Sequence, residues 1–235
     1  MQTELDGVGP APGKTRAIIA SYVGVLLYSG LVFLGAWKVA YWQGMLYVVL
    51  ALVGVTLSHM LVAAGSTITA DRAREARAGR DWDKWLLRAY FLVNVVTFLT
   101  AGLDSGRFGW SGVVPISITV GGAALMLVGQ VLFALAKRQN AFFSSTVRIQ
   151  TERGHQVCDT GVYRLVRHPG YLGMLTSLLA FPLVMNSYWA FVPAGVGAAL
   201  LVARAVLEDR LLLEELAGYA DYTKKTRRKL LPGLF

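Results

Sequence analysis

Long runs of apolar residues divide this chain, and polar residues collect between them. Six runs approach the length of about 20 mostly apolar residues that a helix needs to cross a bilayer. They are residues 17–36, 44–64, 85–103, 113–136, 171–185 and 188–207. Lipid offers the backbone no hydrogen-bond partners, so each run is expected to be helical. The pattern predicts an all-α integral membrane protein with about six transmembrane helices.

The fifth run differs from the others because it is short and contains Pro182. We expect it to be a tilted span or to form a helical hairpin with the sixth run, around Asn186 and Ser187. After the sixth run, apolar residues recur three or four apart, which predicts a cytoplasmic C-terminal helix within residues 208–229. These residues are Leu212, Leu216, Tyr219 and Tyr222.

Composition and charge agree with a multi-pass membrane protein. Only 16% of the 235 residues are charged, against about 25% in a typical soluble domain. The net charge of +9 could indicate nucleic-acid binding, but its placement argues against that. With a cytoplasmic N-terminus, all of the 23 Lys and Arg residues except Lys38 and Arg107 fall in cytoplasmic segments. This positive-inside pattern predicts that both termini are cytoplasmic, with attraction to anionic membrane lipids.

Cysteine and histidine content argues against a metal site. The single cysteine, Cys158, excludes an internal disulfide and a multi-cysteine site. His59, His155 and His168 are far apart and lack metal-binding spacing. His59 and Gln130 are isolated polar residues within spans, so they are functional candidates or helix–helix hydrogen-bond partners. The first 16 residues show no cleavable signal peptide.

The chain divides into two regions of one integrated domain. Residues 1–136 form a four-span membrane region with little polar content. Residues 137–169 are too long for a plain connection, because helix–helix links usually have about 2–8 residues. This polar segment and the tail after the sixth run flank the last two spans and should meet at the cytoplasmic face. Residues 137–235 are therefore the predicted catalytic region.

The first motif that could support chemistry is Arg-His-Pro-Gly-Tyr-Leu-Gly at residues 167–173. Pro169 disfavours a helical His168 and suits the first turn of the following helix. The free amides of that helix start can bind an anionic group. A purely structural interpretation also remains, in which Arg167 sets topology and Tyr171 lies at the membrane interface.

The second motif is the pair Arg204 and Glu208, which are four residues apart and share one helix face. Arg204 lies where the last apolar run ends. It is either a snorkelling side chain with a local ion pair or a guanidinium fork for an anionic group on a lipid-borne substrate.

Together these motifs resemble the isoprenylcysteine carboxyl methyltransferase family, a group of membrane-embedded enzymes related to phospholipid N-methyltransferases. The resemblance covers about the last 100 residues, at 154–156, 160–164, 167–173, Arg204 with Glu208–Asp209, 218–222 and 231–234. Many relatives have two glutamates where this chain has Glu208 and Asp209, which leaves the role of Asp209 open.

The resemblance implies an S-adenosylmethionine pocket at the cytoplasmic face that opens sideways to lipid. Arg204 would hold the substrate carboxylate, and Glu208 would complete the site as the second catalytic residue. The implied reaction is carboxyl O-methylation of an isoprenylcysteine-like or other lipidic acid that enters from the bilayer. The implied cofactor-binding residues are Gln156, Tyr163, Arg164, Leu165, Val166, His168, Pro169, Tyr171, Gly173, Thr176 and Leu179.

Three alternatives remain at this point. One is N-methylation of a phospholipid or small lipid. A second is an NADPH-dependent enzyme like the sterol reductases, whose similar motif typically has Asn and an acid where this chain has Gly170 and Met174. A third is a transporter or scaffold, which the clustering of polar residues at one face disfavours. The natural methyl acceptor, the membrane and the oligomeric state stay open.

Overall fold

A computed structural model describes residues 14–62 and 79–230, and the described residues are all-helical with no strand. The predicted fold class is therefore confirmed. Two 3-10 turns, Thr151–Arg153 and Gly161–Arg164, interrupt the polar segment. The helices are α1 Lys14–Ala36, α2 Trp42–Leu61, α3 Asp81–Ala101, α4 Ile116–Gln139, α5 Pro169–Val184, α6 Phe191–Glu215 and α7 Tyr219–Lys225. Helix α3 continues as a π-helical stretch, Gly102–Phe108.

Five of these helices are long and apolar enough to cross a membrane: α1, α2, α3 with its π-helical extension, α4 and α6. Helix α5 has only 16 residues and contains Pro182. It forms the hairpin with α6 that the sequence allowed, and the backbone N–H of Ser187 donates to the carbonyl of Pro182 in the turn (2.9 Å). The six predicted runs thus correspond to five long helices and one short one.

The predicted C-terminal helix is divided in the structure. Leu212 belongs to α6, which ends at Glu215, and Gly218 then adopts a left-handed conformation with φ 81°. Helix α7 begins at Tyr219, so the apolar spacing continues across a break that the spacing alone does not reveal.

Some predictions concern residues that the structure does not describe. Residues 63–78 include Arg72, Arg74 and Arg77 of the positive-inside pattern and the end of the second apolar run. The last part of the family resemblance, residues 231–234, also lies outside the described residues.

Buried Asp104 fixes the end of the bundle opposite the polar segment. It accepts hydrogen bonds from the Ser111 backbone N–H (2.8 Å) and the Ser187 hydroxyl (2.6 Å). It thereby joins the α3–α4 connection to the α5–α6 turn. The last hairpin is thus attached to the preceding spans at this end of the bundle.

Two glycines allow α4 and α5 to approach closely. A Cβ atom at Gly173 would lie 2.6 Å from the Gly129 carbonyl oxygen and 2.7 Å from the Phe133 nitrogen. Such distances are shorter than any ordinary contact, and backbone atoms cannot rotate away. Gly173 therefore sets the position of α5, whose first turn contains Tyr171.

We expect Gly173→Ala to lower stability by about 1–3 kcal/mol, as overpacking of a close contact does. Gly195→Ala on α6 is the matched control, because nothing lies within 4 Å of its added Cβ. The measurement is the apparent unfolding temperature of both variants in detergent. Equal unfolding temperatures would contradict this assignment of Gly173.

Candidate active site at the polar end of the bundle

A cavity of about 300 Å³ lies where the polar segment and α7 pack against the ends of α3 to α6. This volume is at the lower end of the range for small-molecule sites. The cavity brings together seven of the residues predicted from the sequence. They are Gln156, Tyr163, His168, Pro169, Tyr171, Arg204 and Glu208.

The other six predicted cofactor-binding residues do not line this cavity. Arg164 and Leu165 are exposed, Val166 is buried, and Leu179 is 39% exposed. The Thr176 hydroxyl donates to the Leu172 carbonyl within α5 (2.8 Å), and Gly173 packs against α4. A direct ligand contact by any of these six stays a prediction.

Asp209 is fully buried and holds the first motif to the tail. Its carboxylate accepts two hydrogen bonds from the Arg167 guanidinium (2.8 and 2.9 Å) and one from the Tyr219 hydroxyl (2.9 Å). It also lies 3.1 Å from Nε2 of His168. The acid whose role the sequence left open therefore connects three elements of the site.

The tail segment after α7 also pairs with this motif through the backbone. The N–H of Arg167 donates to the Arg228 carbonyl (2.8 Å), and that of His168 donates to the Lys229 carbonyl (3.0 Å). The Arg167 guanidinium further donates to the carbonyls of Thr226 and Arg227 (3.1 and 2.9 Å). The two polar segments thus meet directly beside the cavity.

Arg204 and Glu208 both line the cavity, but they have different partners. Glu208 accepts a hydrogen bond from the Tyr171 hydroxyl (2.6 Å). Arg204 is buried and forms a forked ion pair with Asp83 (2.6 and 3.2 Å). One of its terminal nitrogens also donates to the Ser145 carbonyl (2.9 Å). The local ion pair considered from the sequence is absent, and a carboxylate from α3 takes that place.

Sequence reasoning missed Asp83. It lies in a mixed-charge stretch just before the third apolar run, yet its side chain is fully buried. It accepts a hydrogen bond from the Val147 backbone N–H (2.8 Å) while pairing with Arg204. Its place just before an apolar run was the available signal, because an acid there suits a helix N-terminus. Spacing could not reveal its partner 121 residues away.

The loop before the first motif forms the other wall of the cavity. His155 stacks on Phe142 with ring centres 4.5 Å apart, and its Nδ1 accepts a hydrogen bond from the Gln150 N–H (3.3 Å). Burial and the charges of Arg148 and Arg153 lower the pKa of His155 below its ordinary value of 6.5. Burial and the two arginine charges all favour the neutral imidazole ring of His155.

This environment predicts a pH dependence. The unfolded chain binds more protons than the folded one between the lowered pKa of His155 and 6.5, so stability should fall as pH falls through this window. His155→Gln should show a smaller loss between pH 7 and pH 5.5 than the unsubstituted protein. Thermal unfolding in detergent across this range measures the difference, and identical profiles would contradict it.

A second cavity of about 260 Å³ lies beside the first, between α2, α3, α4 and α5. The two cavities share Tyr90, Phe133 and Met174. The second is lined by Gln130, whose side-chain nitrogen donates to the Leu50 carbonyl (3.1 Å). Gln130 is therefore a helix–helix hydrogen-bond partner, one of the two roles considered for it.

The fold and the cavity define an all-helical, multi-pass integral membrane protein with a polar site at one end of its bundle. Residues 122–214 match the Isoprenylcysteine carboxyl methyltransferase (ICMT) family. The resemblance that the motifs suggested is thereby confirmed for this stretch, which contains most of the cavity wall.

Two curated relatives from rice, Oryza sativa subsp. indica and Oryza sativa subsp. japonica, are each named "Probable protein-S-isoprenylcysteine O-methyltransferase". Each is 40% identical to this chain over 55 residues, which is 23% of this chain and 29% of the relative. The chain thus matches less than a third of the length of these relatives.

Proposed function

We propose that this protein is an S-adenosylmethionine-dependent methyltransferase that methylates the carboxylate of an isoprenylcysteine-like or other lipidic acid at the cytoplasmic face. The observation that supports this most strongly is the single cavity shared by the first motif and the Arg204–Glu208 face of α6. Both parts of that cavity lie within the stretch that matches the methyltransferase family.

The residues on the cavity wall suit this methyl donor. A sulfonium cation is favoured by aromatic faces, by about 0.5–2 kcal/mol, and by a carboxylate. The wall offers Tyr163, Phe143 and Tyr171 for the first and Glu208 for the second. When bound, the donor would supply an electrophilic methyl group for an in-line displacement. We propose that His168 and Gln156 bind its polar groups.

The reaction mainly requires that the methyl donor and the acceptor be aligned. A carboxylate acceptor is already ionised at neutral pH, so no strong base is required. Positioning two reactants can lower a barrier by about 7–11 kcal/mol in well-oriented cases. Arg204 would orient the acceptor carboxylate, because the Asp83 pair fixes its guanidinium. Tyr171 would hold Glu208 between the two substrates through their hydrogen bond.

N-methylation of a lipid amine is the second candidate, and one observation favours it. Asp83 already neutralises the charge of Arg204, and Glu208 adds a further acid to the wall. With these two acids nearby, Arg204 attracts an anion less strongly than an unpaired arginine would. An amine acceptor must lose a proton, so Glu208 or His168 would then act as the base.

A paired acceptor assay separates these candidates. Purified protein in lipid nanodiscs is given labelled methyl donor with a farnesylcysteine analogue or with phosphatidylethanolamine. The proposal predicts transfer to the carboxylate and a loss of at least 100-fold in Arg204→Ala. Transfer to the amine alone would select the second candidate, and transfer to neither would leave both unsupported.

The cytoplasmic position of the site has its own test. Cys158 is the only cysteine and lies on the cavity wall. A membrane-impermeant maleimide should therefore label inside-out vesicles and spare right-side-out vesicles, while Cys158→Ser controls for background labelling. The opposite pattern would reverse the proposed topology.

A further inference from the structure

Arg148 lies on the wall of the cavity and has an unusual hydrogen-bonding state. Its side chain is 17% exposed, and one terminal nitrogen forms an ion pair with Glu152 (2.6 Å). Its Nε–H is buried and has no hydrogen-bond partner among the described residues. From the sequence, Arg148 was only one of the basic residues that form the positive-inside pattern.

A buried donor without a partner is costly. Leaving such a group unsatisfied costs about 1–3 kcal/mol, and more when it belongs to a charged side chain. Folded proteins pair the great majority of these groups, so each exception calls for an explanation, such as a functional role or an unseen binding partner. A ligand atom that accepts this hydrogen bond would explain why Arg148 is held in place.

The charges around Arg148 define the kind of ligand. Arg153 lies close enough that both arginines lower the pKa of His155. The nearby acid, Glu152, is 56% exposed and pairs with the outer end of Arg148. The buried side of this wall is therefore electropositive, whereas Glu208 lies on the α6 side of the cavity.

Arg204 differs from Arg148 in this respect. Its Nε and one terminal nitrogen are already occupied by Asp83 and Ser145. Of the three arginines that line the cavity, Arg148, Arg167 and Arg204, Arg148 thus has the buried donor without an acceptor among the described residues. An arginine donor to a carboxylate gives a charge-assisted hydrogen bond, roughly twice as strong as a neutral one.

We propose that Arg148, which lines the cavity and whose Nε–H has no acceptor among the described residues, binds a carboxylate inside the cavity. This inference rests on the proposed function, which supplies two sources of that group: the amino-acid end of the methyl donor and the acidic end of the acceptor. Arg148 is then a ligand-binding residue that acts alongside Arg204.

The test compares ligands with and without the carboxylate. Calorimetry measures the binding of S-adenosylhomocysteine and of 5′-methylthioadenosine, which lacks the amino-acid end, to the parent protein and to Arg148→Gln. A loss of at least tenfold for the first ligand alone identifies the donor carboxylate as the group bound. Unchanged binding of both, with a tenfold higher KM for a farnesylcysteine acceptor, identifies the acceptor carboxylate.

Two further variants complete the design. Arg210→Gln removes the same charge from an exposed position outside the cavity wall and should change neither quantity. Arg148→Lys retains the charge without the fork and should recover only part of the affinity. If the parent protein binds both nucleosides but Arg148→Gln leaves their affinities and the KM unaltered, the proposed role of Arg148 is refuted while the proposed function stands. If the parent protein binds neither, the proposed function fails with it.

Discussion

Asp209→Asn is expected to lower the unfolding temperature sharply and to abolish binding of the methyl donor. The substitution keeps the shape of the side chain but removes the negative charge that faces Arg167 and His168. Removing one partner of a buried ion pair costs about 3–5 kcal/mol, because the other charge stays buried without compensation. The first motif and the tail would then separate, and part of the cavity wall would be lost.

A matched control is available on α7. Asp221 pairs with Lys224 across one helical turn, and both side chains are more than three-quarters exposed. Asp221→Asn should leave the unfolding temperature almost unchanged, because exposed ion pairs contribute little to stability. Thermal unfolding and donor binding are measured on both variants. If Asp209→Asn behaves like Asp221→Asn, Asp209 does not organise the site.

Asp83→Asn is expected to destabilise the protein by a similar amount, about 3–5 kcal/mol, because it leaves Arg204 buried without its carboxylate. Both side chains are buried, at 9% and 0% exposed, much like those of the Arg167–Asp209 pair at 6% and 0%. The same substitution weakens the hydrogen bond from Val147 to the carboxylate. Acceptor turnover should fall at least 100-fold while donor binding is retained.

A double-mutant cycle distinguishes a direct interaction between Asp83 and Arg204 from a general loss of stability. Replacing both members, as Asp83→Asn with Arg204→Met, removes the uncompensated charge and should restore part of the stability. The double variant should thus unfold at a higher temperature than Asp83→Asn alone, yet remain inactive. Strictly additive losses in stability would show that the two side chains do not depend on each other.

The apolar runs predicted the helices because the bilayer requires a helical backbone wherever a run crosses it. The break between α6 and α7 was missed, since Gly218 interrupts the backbone without interrupting the apolar spacing. The resemblance in residues 154–173 and at Arg204 pointed to several residues that line one cavity in the structure, because a motif can be recognised from its local sequence.

The partners of the motif residues could not be read from the sequence. Asp83 meets Arg204 across 121 positions, and Asp209 meets Arg167 across 42. A carboxylate beside a basic stretch looks the same in sequence whether it is solvated or buried. Arg148 was likewise one basic residue among many until its buried Nε was located. Long-range pairing and burial are properties of the folded chain.

We propose that the cavity binds a methyl donor, and a direct binding measurement is the first test. Calorimetry on detergent-purified protein compares S-adenosylmethionine with NADPH, and Arg204→Ala serves as the acceptor-side control. We expect that S-adenosylmethionine binds, that NADPH does not, and that Arg204→Ala retains the affinity for S-adenosylmethionine. If S-adenosylmethionine does not bind, or if NADPH binds more tightly, the protein is not the methyltransferase proposed here.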